Sequence, residues 1–236
     1  WGQARAGNDL RDAAVRSIER HFPRGAFTHV ISDLEDNRRC MEAEFPDFVG
    51  TFDGLPTDIM RSDMGRCCLL YKHGGIYIDT DFEVLDNFHS ALSPGHVSIV
   101  ESPYKSLEEV QNSLMASPPG HPFWLRYFEG IVRASEASKA SGSWRENAVF
   151  ITGPALLTEV AEVPRDSSPA ALRPAAPAVE SGRPDVRVLP CAEYNRPVTP
   201  SNYFPIKDCG SLASTAGLRS LHWQLSEWLP RGPGGK

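Results

Sequence analysis

Apolar residues recur at helical spacing in four stretches of the chain. The first runs from Asn8 to His21. Leu10, Ala14, Ile18 and His21 or Phe22 form its inward stripe, Asn8 reads as the N-cap, and Pro23 ends it. The second, Asp36 to Phe45, stops at Pro46. The third starts after Pro56 and carries Met64, Cys67, Cys68 and Tyr71 on one side. The fourth, His121 to Ala137, sets Phe123, Trp124, Tyr127, Phe128, Ile131 and Val132 on a stripe that reads as core.

Short apolar runs lie between these helices. Phe27 to Ile31, Ile76 to Ile78, His96 to Val100 and Val186 to Leu189 predict strands, and Phe82 to Leu85 continues extended. Ser32-Asp33 ends the first of these runs. Asp33 reads as the cap of the next helix in preference to a ligand contact. Phe48 to Phe52 reads as strand or loop, and Asp86 as the cap of a short turn. Thr152-Gly153-Pro154 starts a helix, with Thr152 as cap and Pro154 at an early position. Residues 164–184 are rich in Ala, Pro, Ser and Arg and predict a flexible insertion. Asn195 to Pro205 is a proline-punctuated loop, Leu221 to Trp228 reads as an amphipathic C-terminal helix, and residues 231–236 form a loose glycine-rich tail.

Strands alternating with helices over 236 residues, 41% of them hydrophobic, suit one α/β domain with a sizeable core. The net charge of −6 without a basic stripe argues against a nucleic-acid partner. No run of about 18 apolar residues is present to span a membrane. The chain opens on Trp1, which predicts a processed or partial chain. Its five cysteines show no zinc spacing. Cys67 and Cys68 read as small core residues of a helix, and Cys191 and Cys209 as a pair that an oxidising lumen would join.

The stretch from Gly74 to Leu85 carries the chemistry. Gly74 is placed to close the preceding helix in a left-handed conformation, and Gly75 to allow close backbone approach. The strand that follows delivers Asp79 and Asp81. Residues two apart on an extended chain project to the same side. Two like charges so placed repel, and a divalent cation relieves the conflict through carboxylate oxygens. On the helix before it, Asp63 and Arg66 sit three apart and share a face. Were that pair only a surface contact, it would contribute about 0.3–0.5 kcal/mol.

The run from Ser62 to Asp81 resembles the signature of the DXD sugar-binding glycosyltransferases. That family includes fungal α-1,6-mannosyltransferases and inositol-phosphoceramide mannosyltransferases. More distant likenesses are to α-1,4-hexosyltransferases and the glucosylating clostridial toxins. The matching positions are Ser62, Asp63, Arg66, Gly74, Gly75, Tyr77, Asp79 and Asp81.

The resemblance implies a GT-A-type nucleotide-binding fold, with a mixed, mostly parallel central sheet flanked by helices. It implies a single catalytic domain over residues 1–236, its first strand lying upstream of Trp1. The activity implied is retaining, metal-dependent transfer of a hexose from a UDP- or GDP-sugar to a glycan, lipid or protein, with Mn²⁺ or Mg²⁺ as cofactor. Asp79, Asp81 and Asn112 are the implied catalytic positions. Trp1, Asp63, Arg66, Tyr77, Asp79 and Trp228 are the implied donor contacts, with Trp1 stacked on the base and Trp228 reaching the diphosphate. Asp81 and Asp79 are the implied metal positions, with His222 or Ser226 completing the shell. Glu227 interrupts the family's Ser-Trp pair, so the register of this last motif stays open. An Asn112 side chain facing the donor sugar also follows from the resemblance, which extends to the Gly120-His121-Pro122 segment; by chemistry alone that segment is loop punctuation, with His121 starting a helix. The resemblance further implies a Golgi lumen location and a membrane tie only through an N-terminal anchor absent from this sequence.

Two other functions fit parts of the pattern. A haloacid-dehalogenase-type phosphatase also places DxD after an apolar strand, but has Thr or Val where this chain has Glu83, and no use for Asp63 and Arg66. A non-catalytic sugar- or nucleotide-binding scaffold of the same fold is the second rival, kept open by the missing first strand. A calcium loop does not fit, since Val84 and Ser90 stand where glycine and glutamate are required.

Overall fold

The computed structural model describes residues 2–104, 109–142, 148–164, 181–198, 209 and 217–223. Trp1, Ser226, Glu227, Trp228 and the 231–236 tail lie outside these residues, as does 165–180 of the expected insertion.

Helix α1 (Gly2–His21) begins six residues before Asn8, which therefore lies inside it and not at its cap. The apolar run after it does not become a strand. Val30 and Ile31 are 60% and 85% exposed, and among the described residues no strand lies alongside to pair their main-chain groups. Helix α2 (Leu34–Glu44) starts where expected, because Asp33 and Asp36 close a reciprocal capping box. A 3₁₀ turn (Pro46–Phe48) leads into α3 (Val49–Gly54), so the Phe48–Phe52 stretch is helical, with Phe52 buried on the inner side. Helix α4 (Asp58–His73) is capped by Thr57, whose side chain accepts from the Met60 N–H, and ends at Gly74.

Strand β1 (Gly75–Ile78) follows, then β2 (Phe82–Val84), a 3₁₀ turn (His89–Ala91), β3 (Val97–Glu101) and β4 (Val110–Ser117). The Asn87 side chain, in place of Asp86, accepts the His89 N–H. Helices α5 (Phe123–Ser141), α6 (Ala148–Ile151) and α7 (Pro154–Val160) come next, then β5 (Val186–Leu189), α8 (Cys191–Tyr194), β6 (Arg196–Pro197) and β7 (Ser220–His222). The expected C-terminal helix thus begins as a strand.

The larger sheet has the order β1-β4-β3-β5. Pairs β1·β4 and β4·β3 are antiparallel, and only β3·β5 is parallel. The expectation of a mostly parallel sheet is corrected here. Strand β4 was not foreseen, and it returns from β3 through a connection too short for a crossover, so it must run antiparallel. Between Ile99 and Val100 the β3·β4 register jumps from Met115 to Gln111. Residues 112–114 are thereby freed from β3 and turned toward β1 and α4. The smaller sheet, β2-β7-β6, pairs Phe82 with His222 and Pro197 with His222.

One core fills the space between the larger sheet and helices α2, α4 and α5, and includes Met41, Phe52, Met64, Cys67, Ile99, Met115, Trp124 and Phe128. A second, with Phe22, Phe82, Phe88, Val100 and Leu114, lies under α1 and the smaller sheet. Gly65 lets α2 sit close on α4: a Cβ there would stand 2.3 Å from the Asn37 side chain. Beside it, Cys68 is not the free core residue the pattern predicts, because its sulfur is joined to Cys40 of α2. Cys67, on the neighbouring helix face, stays a buried thiol. Cys191 and Cys209 are paired, as the sequence allowed.

Gly74 keeps its expected part and also takes the one expected of Gly75. Gly74 (φ 66°) closes α4, and a Cβ there would meet Pro119 at 2.7 Å, so the close approach is here. Gly75 has open space around it and a φ of 92° that favours glycine.

Candidate functional site

Strand β1 ends at the edge of the second core, and the chain turns at once. The Asp79 N–H donates to the Ser113 carbonyl (2.8 Å), and the Phe82 N–H to the Asp79 carbonyl (3.1 Å). This turn brings both carboxylates to the same sheet end. Helix α4 runs up to the same end and supplies Arg66.

Arg66 is the hub. Its Nη1 donates to the Asn112 carbonyl (2.9 Å) and to Asp79 Oδ1 (3.3 Å), its Nε reaches the Ser62 carbonyl (3.4 Å), and its Nη2 pairs with Asp63 Oδ1 (3.2 Å). The guanidinium carbon also lies 4.7 Å from the centre of the Tyr77 ring. Its side chain is 9% exposed, so the Asp63–Arg66 pair is buried and not the surface contact that the helix spacing alone allows. Despite burial, which works against it, the Tyr77 hydroxyl and the two carboxylates hold Arg66 well above the ordinary guanidinium range.

Asp63 has both oxygens engaged inside the protein. Oδ1 accepts from Asn112 Nδ2 (2.9 Å), and Oδ2 from Thr152 Oγ1 (2.9 Å). Burial pushes its carboxyl up to about 6, against the pull of Arg66 and of the Thr152 and Asn112 donors. The Asn112 side chain is therefore turned under the site onto Asp63. Thr152 does not cap α7, since Gly153 stands at that cap; its hydroxyl serves Asp63 instead.

Asp79 is more open, with 29% of its side chain exposed. Oδ1 accepts from the Tyr77 hydroxyl and from Arg66. Burial raises its carboxyl while Arg66 and Tyr77 oppose the rise and the nearby Asp81 adds to it. Tyr77 itself is kept protonated, mainly by burial, far above the usual phenol range.

Asp81 faces the C-terminal segment. His222 Nε2 lies 3.3 Å from Asp81 Oδ1. The Trp223 N–H donates to the Asp81 carbonyl (2.9 Å), and the His222 ring stacks on Phe82, with centroids 4.1 Å apart. On the other side of the ring, Nδ1 lies 2.9 Å from Asn195 Oδ1.

The structure thus brings together Asp63, Arg66, Tyr77, Asp79, Asp81, Asn112 and His222. The Gly120-His121-Pro122 segment is at the opposite end of the sheet, where the Gly120 N–H meets the Tyr71 carbonyl and His121 Nε2 lies 4.0 Å from Asp185. Among the described residues, no three His, Cys, Asp or Glu side chains form a metal cluster by themselves. The chemistry of the donor set nevertheless suits a hard divalent cation. A carboxylate and an imidazole nitrogen face each other at Asp81 and His222. Sequence reasoning passed over Asn195 and the true partner of Thr152, because neither has a local motif to mark it.

Residues 8–98 match the family model described as "Glycosyltransferase sugar-binding region containing DXD motif". The resemblance read from the sequence is borne out over this region. Within it fall Asp63, Arg66, Tyr77 and the Asp79-Asp81 pair; Asn112, Thr152, Asn195 and His222 lie beyond it. The chain is 30% identical over 108 residues to inositol phosphoceramide mannosyltransferase 3 of Schizosaccharomyces pombe, covering 45% of this chain and 29% of that one. Over 109 residues it is 30% identical to mannosyl phosphorylinositol ceramide synthase CSH1 of Saccharomyces cerevisiae, covering 44% and 27%. An uncharacterised glycosyltransferase of Acanthamoeba polyphaga mimivirus is 24% identical over 119 residues, covering 50% and 47%. The matches thus span less than a third of the two fungal relatives. Among solved structures, the PaToxG glycosyltransferase overlaps 51% of this chain and 40% of its own at 20% identity and a TM-score of 0.36, too slight an overlap to fix the fold.

Proposed function

We propose that this chain is the catalytic domain of a metal-dependent, retaining glycosyltransferase that moves a hexose from a nucleotide-sugar donor. The observation that carries the reading is the Arg66 hub at the end of β1. It holds Asp79 and the Asn112 carbonyl in place beside the Asp81–His222 pair. The matched sugar-binding region supports it, as do mannosyltransferase relatives. A GT-A-type arrangement is the fold that this reading assigns.

In this reading Asp81 and His222 hold Mn²⁺ or Mg²⁺, with Asp79 beside them. The bound cation supplies Lewis-acid neutralisation of the leaving nucleotide's diphosphate. The chain's own residues do the rest. Arg66 holds Asp79 at a fixed height and presents its charge to the donor. Asp63, with both oxygens taken, is a positioning residue that orients Arg66 and so acts on the sugar through it. Tyr77, protonated, gives its hydrogen to Asp79 and leaves its ring under the guanidinium. Trp1, Ser226 and Trp228 belong to the proposal on sequence grounds alone. A front-face path through an oxocarbenium-like ion accounts for retention without a dedicated nucleophile.

The acceptor proposed is a glycan or a lipid; the printed names of the fungal relatives specify an inositol phosphoceramide for those proteins. A Golgi lumen location fits two disulfides, which need an oxidising compartment. No helix of the described residues is long and apolar enough to cross a membrane.

The test is donor hydrolysis and transfer with a panel of UDP- and GDP-hexoses, with and without Mn²⁺. The expected result is sugar release from one nucleotide class only when the cation is present. Donor binding without turnover would reduce the chain to a sugar-binding scaffold, and cleavage of simple phosphomonoesters would make it a phosphatase.

A further inference from the structure

Asn195 lies at the end of α8 and is fully buried, its main-chain N–H bonded to the Cys191 carbonyl (3.1 Å). Its side-chain amide makes three contacts. Nδ2 is 2.8 Å from the Glu101 carbonyl and 3.0 Å from Gln111 Oε1, and Oδ1 is 2.9 Å from His222 Nδ1. A main-chain carbonyl can only accept, so the amide group must point its NH₂ at Glu101. Turned the other way, Asn195 would press its oxygen against that carbonyl inside the core. Its orientation is therefore fixed by chemistry, and the atom facing His222 is an acceptor.

The consequence passes to the imidazole. An acceptor at Nδ1 requires a hydrogen there. In the neutral ring the other nitrogen, Nε2, then carries a lone pair. That lone pair points at Asp81 Oδ1 across 3.3 Å. Two acceptors so placed repel unless a proton or a metal cation sits between them, and in the neutral ring held by Asn195 it is the metal that fits. Stacking on Phe82 and the pairing of His222 with both Phe82 and Pro197 stop the ring from turning away.

We propose that Asn195 is a positioning residue that holds His222 as the Nδ1–H tautomer, aiming the Nε2 lone pair into the Asp81 site as a ligand for a divalent cation. Hydrogen-bond partners behind a ligating histidine commonly set its tautomer and basicity in this way. This inference rests on the functional reading above for the identity of the ion, but its central claim concerns the ring in the metal-free chain. It assigns a part to α8, which no motif marks, and it ties the end of β3, through Glu101, to the cation site.

The experiment is long-range ¹⁵N–¹H correlation of the full chain, ring-labelled at histidine and free of metal, at about pH 8. A His222→Gln sample identifies the ring. The expected spectrum has Nδ1 protonated and Nε2 bare. A ring protonated at Nε2 overturns the proposal. In Asn195→Ala the two tautomers should mix, and the Mn²⁺ Kd, read from the free-ion paramagnetic signal, should rise about 10–100-fold. Asn195→Asp keeps an acceptor for Nδ1–H and should keep the tautomer. Unchanged Mn²⁺ affinity in a folded Asn195→Ala chain also overturns the proposal, and if neither variant folds the wild-type spectrum decides. An Nε2-protonated ring in a chain that still transfers sugar with Mn²⁺ defeats this inference alone. The Nδ1–H ring in a chain that neither binds Mn²⁺ nor transfers sugar defeats the functional reading, while the hold of Asn195 on the ring stands.

Discussion

Asp81 and His222, 3.3 Å apart, are far apart in the sequence and meet only because β2 and β7 are hydrogen-bonded neighbours. Asp81→Asn keeps the side-chain shape but removes the charge that a cation needs. Mn²⁺-dependent turnover should fall at least about 100-fold, with the thermal midpoint within a few degrees of wild type. Turnover assays at limiting Mn²⁺ check this, and full activity in the variant would remove Asp81 from the metal site.

Arg66 serves four acceptors at once, which only a guanidinium fork can do. Lysine keeps the charge and loses the geometry. Arg66→Lys should weaken donor binding and also destabilise the chain by about 2–4 kcal/mol, since a buried carboxylate loses a partner. Denaturant unfolding and donor titration measure the two effects. A stability change near the few tenths expected of a surface pair would contradict the buried hub.

The Asp63 carboxyl gives a pH signature. Its pKa in the folded chain is about 6, raised mainly by burial, against roughly 3.9 when unfolded. The native state thus binds this proton more tightly than the unfolded state. Its contribution is favourable at low pH and is lost as pH rises from about 4 through about 6, amounting to about 3 kcal/mol. The stability difference between wild type and Asp63→Asn should shrink by that order across the same interval. A flat difference would show that Asp63 is charged throughout.

Gly65 packs against Asn37 where a Cβ would stand at 2.3 Å. Alanine is the better helix former, by about 1 kcal/mol. The overlap should nonetheless win, so that Gly65→Ala loses about 1–3 kcal/mol and loosens α2 from α4. Hydrogen exchange in α2 should quicken. A more stable variant would mean that Asn37 can turn aside freely.

The Cys40–Cys68 bridge closes a separation of 28 residues. Loop-closure entropy places its contribution at about 3–4 kcal/mol. Replacing both cysteines by alanine should lower unfolding stability by that order while leaving Asp79 and Asp81 in place. Denaturant unfolding of the double variant beside wild type, both without reductant so that Cys191–Cys209 stays closed, checks this.

Much of the site was legible where spacing along one element sets the outcome. Asp63 and Arg66 share a helix face, Asp79 and Asp81 follow a short strand, and Gly74 stops the helix between them, all by local rules. The Asp33 cap was legible for the same reason. Strand β4 was not, because its Gln111, Asn112 and Ser113 look like loop residues and three of its residues leave the register of β3 to enter the site. Val30 and Ile31 have strand-forming side chains but, among the described residues, no neighbouring strand to pair with. The Cys40 to Cys68 link, the Thr152 to Asp63 bond and the Asn195 to His222 bond join residues far apart in sequence. No periodicity marks such partners, since only the packed fold brings them within reach.

The smaller sheet also sets the order in which this protein can become competent. Phe82 waits for His222, 140 positions further on, before β2 has a partner. Closing so long a loop is slow compared with forming α4 or its turn into β1. During synthesis the Asp79–Asp81 end is therefore made long before the imidazole that faces it. A chain cut short before Ser220 would lack the imidazole that faces Asp81 and would leave β2 without its β7 partner.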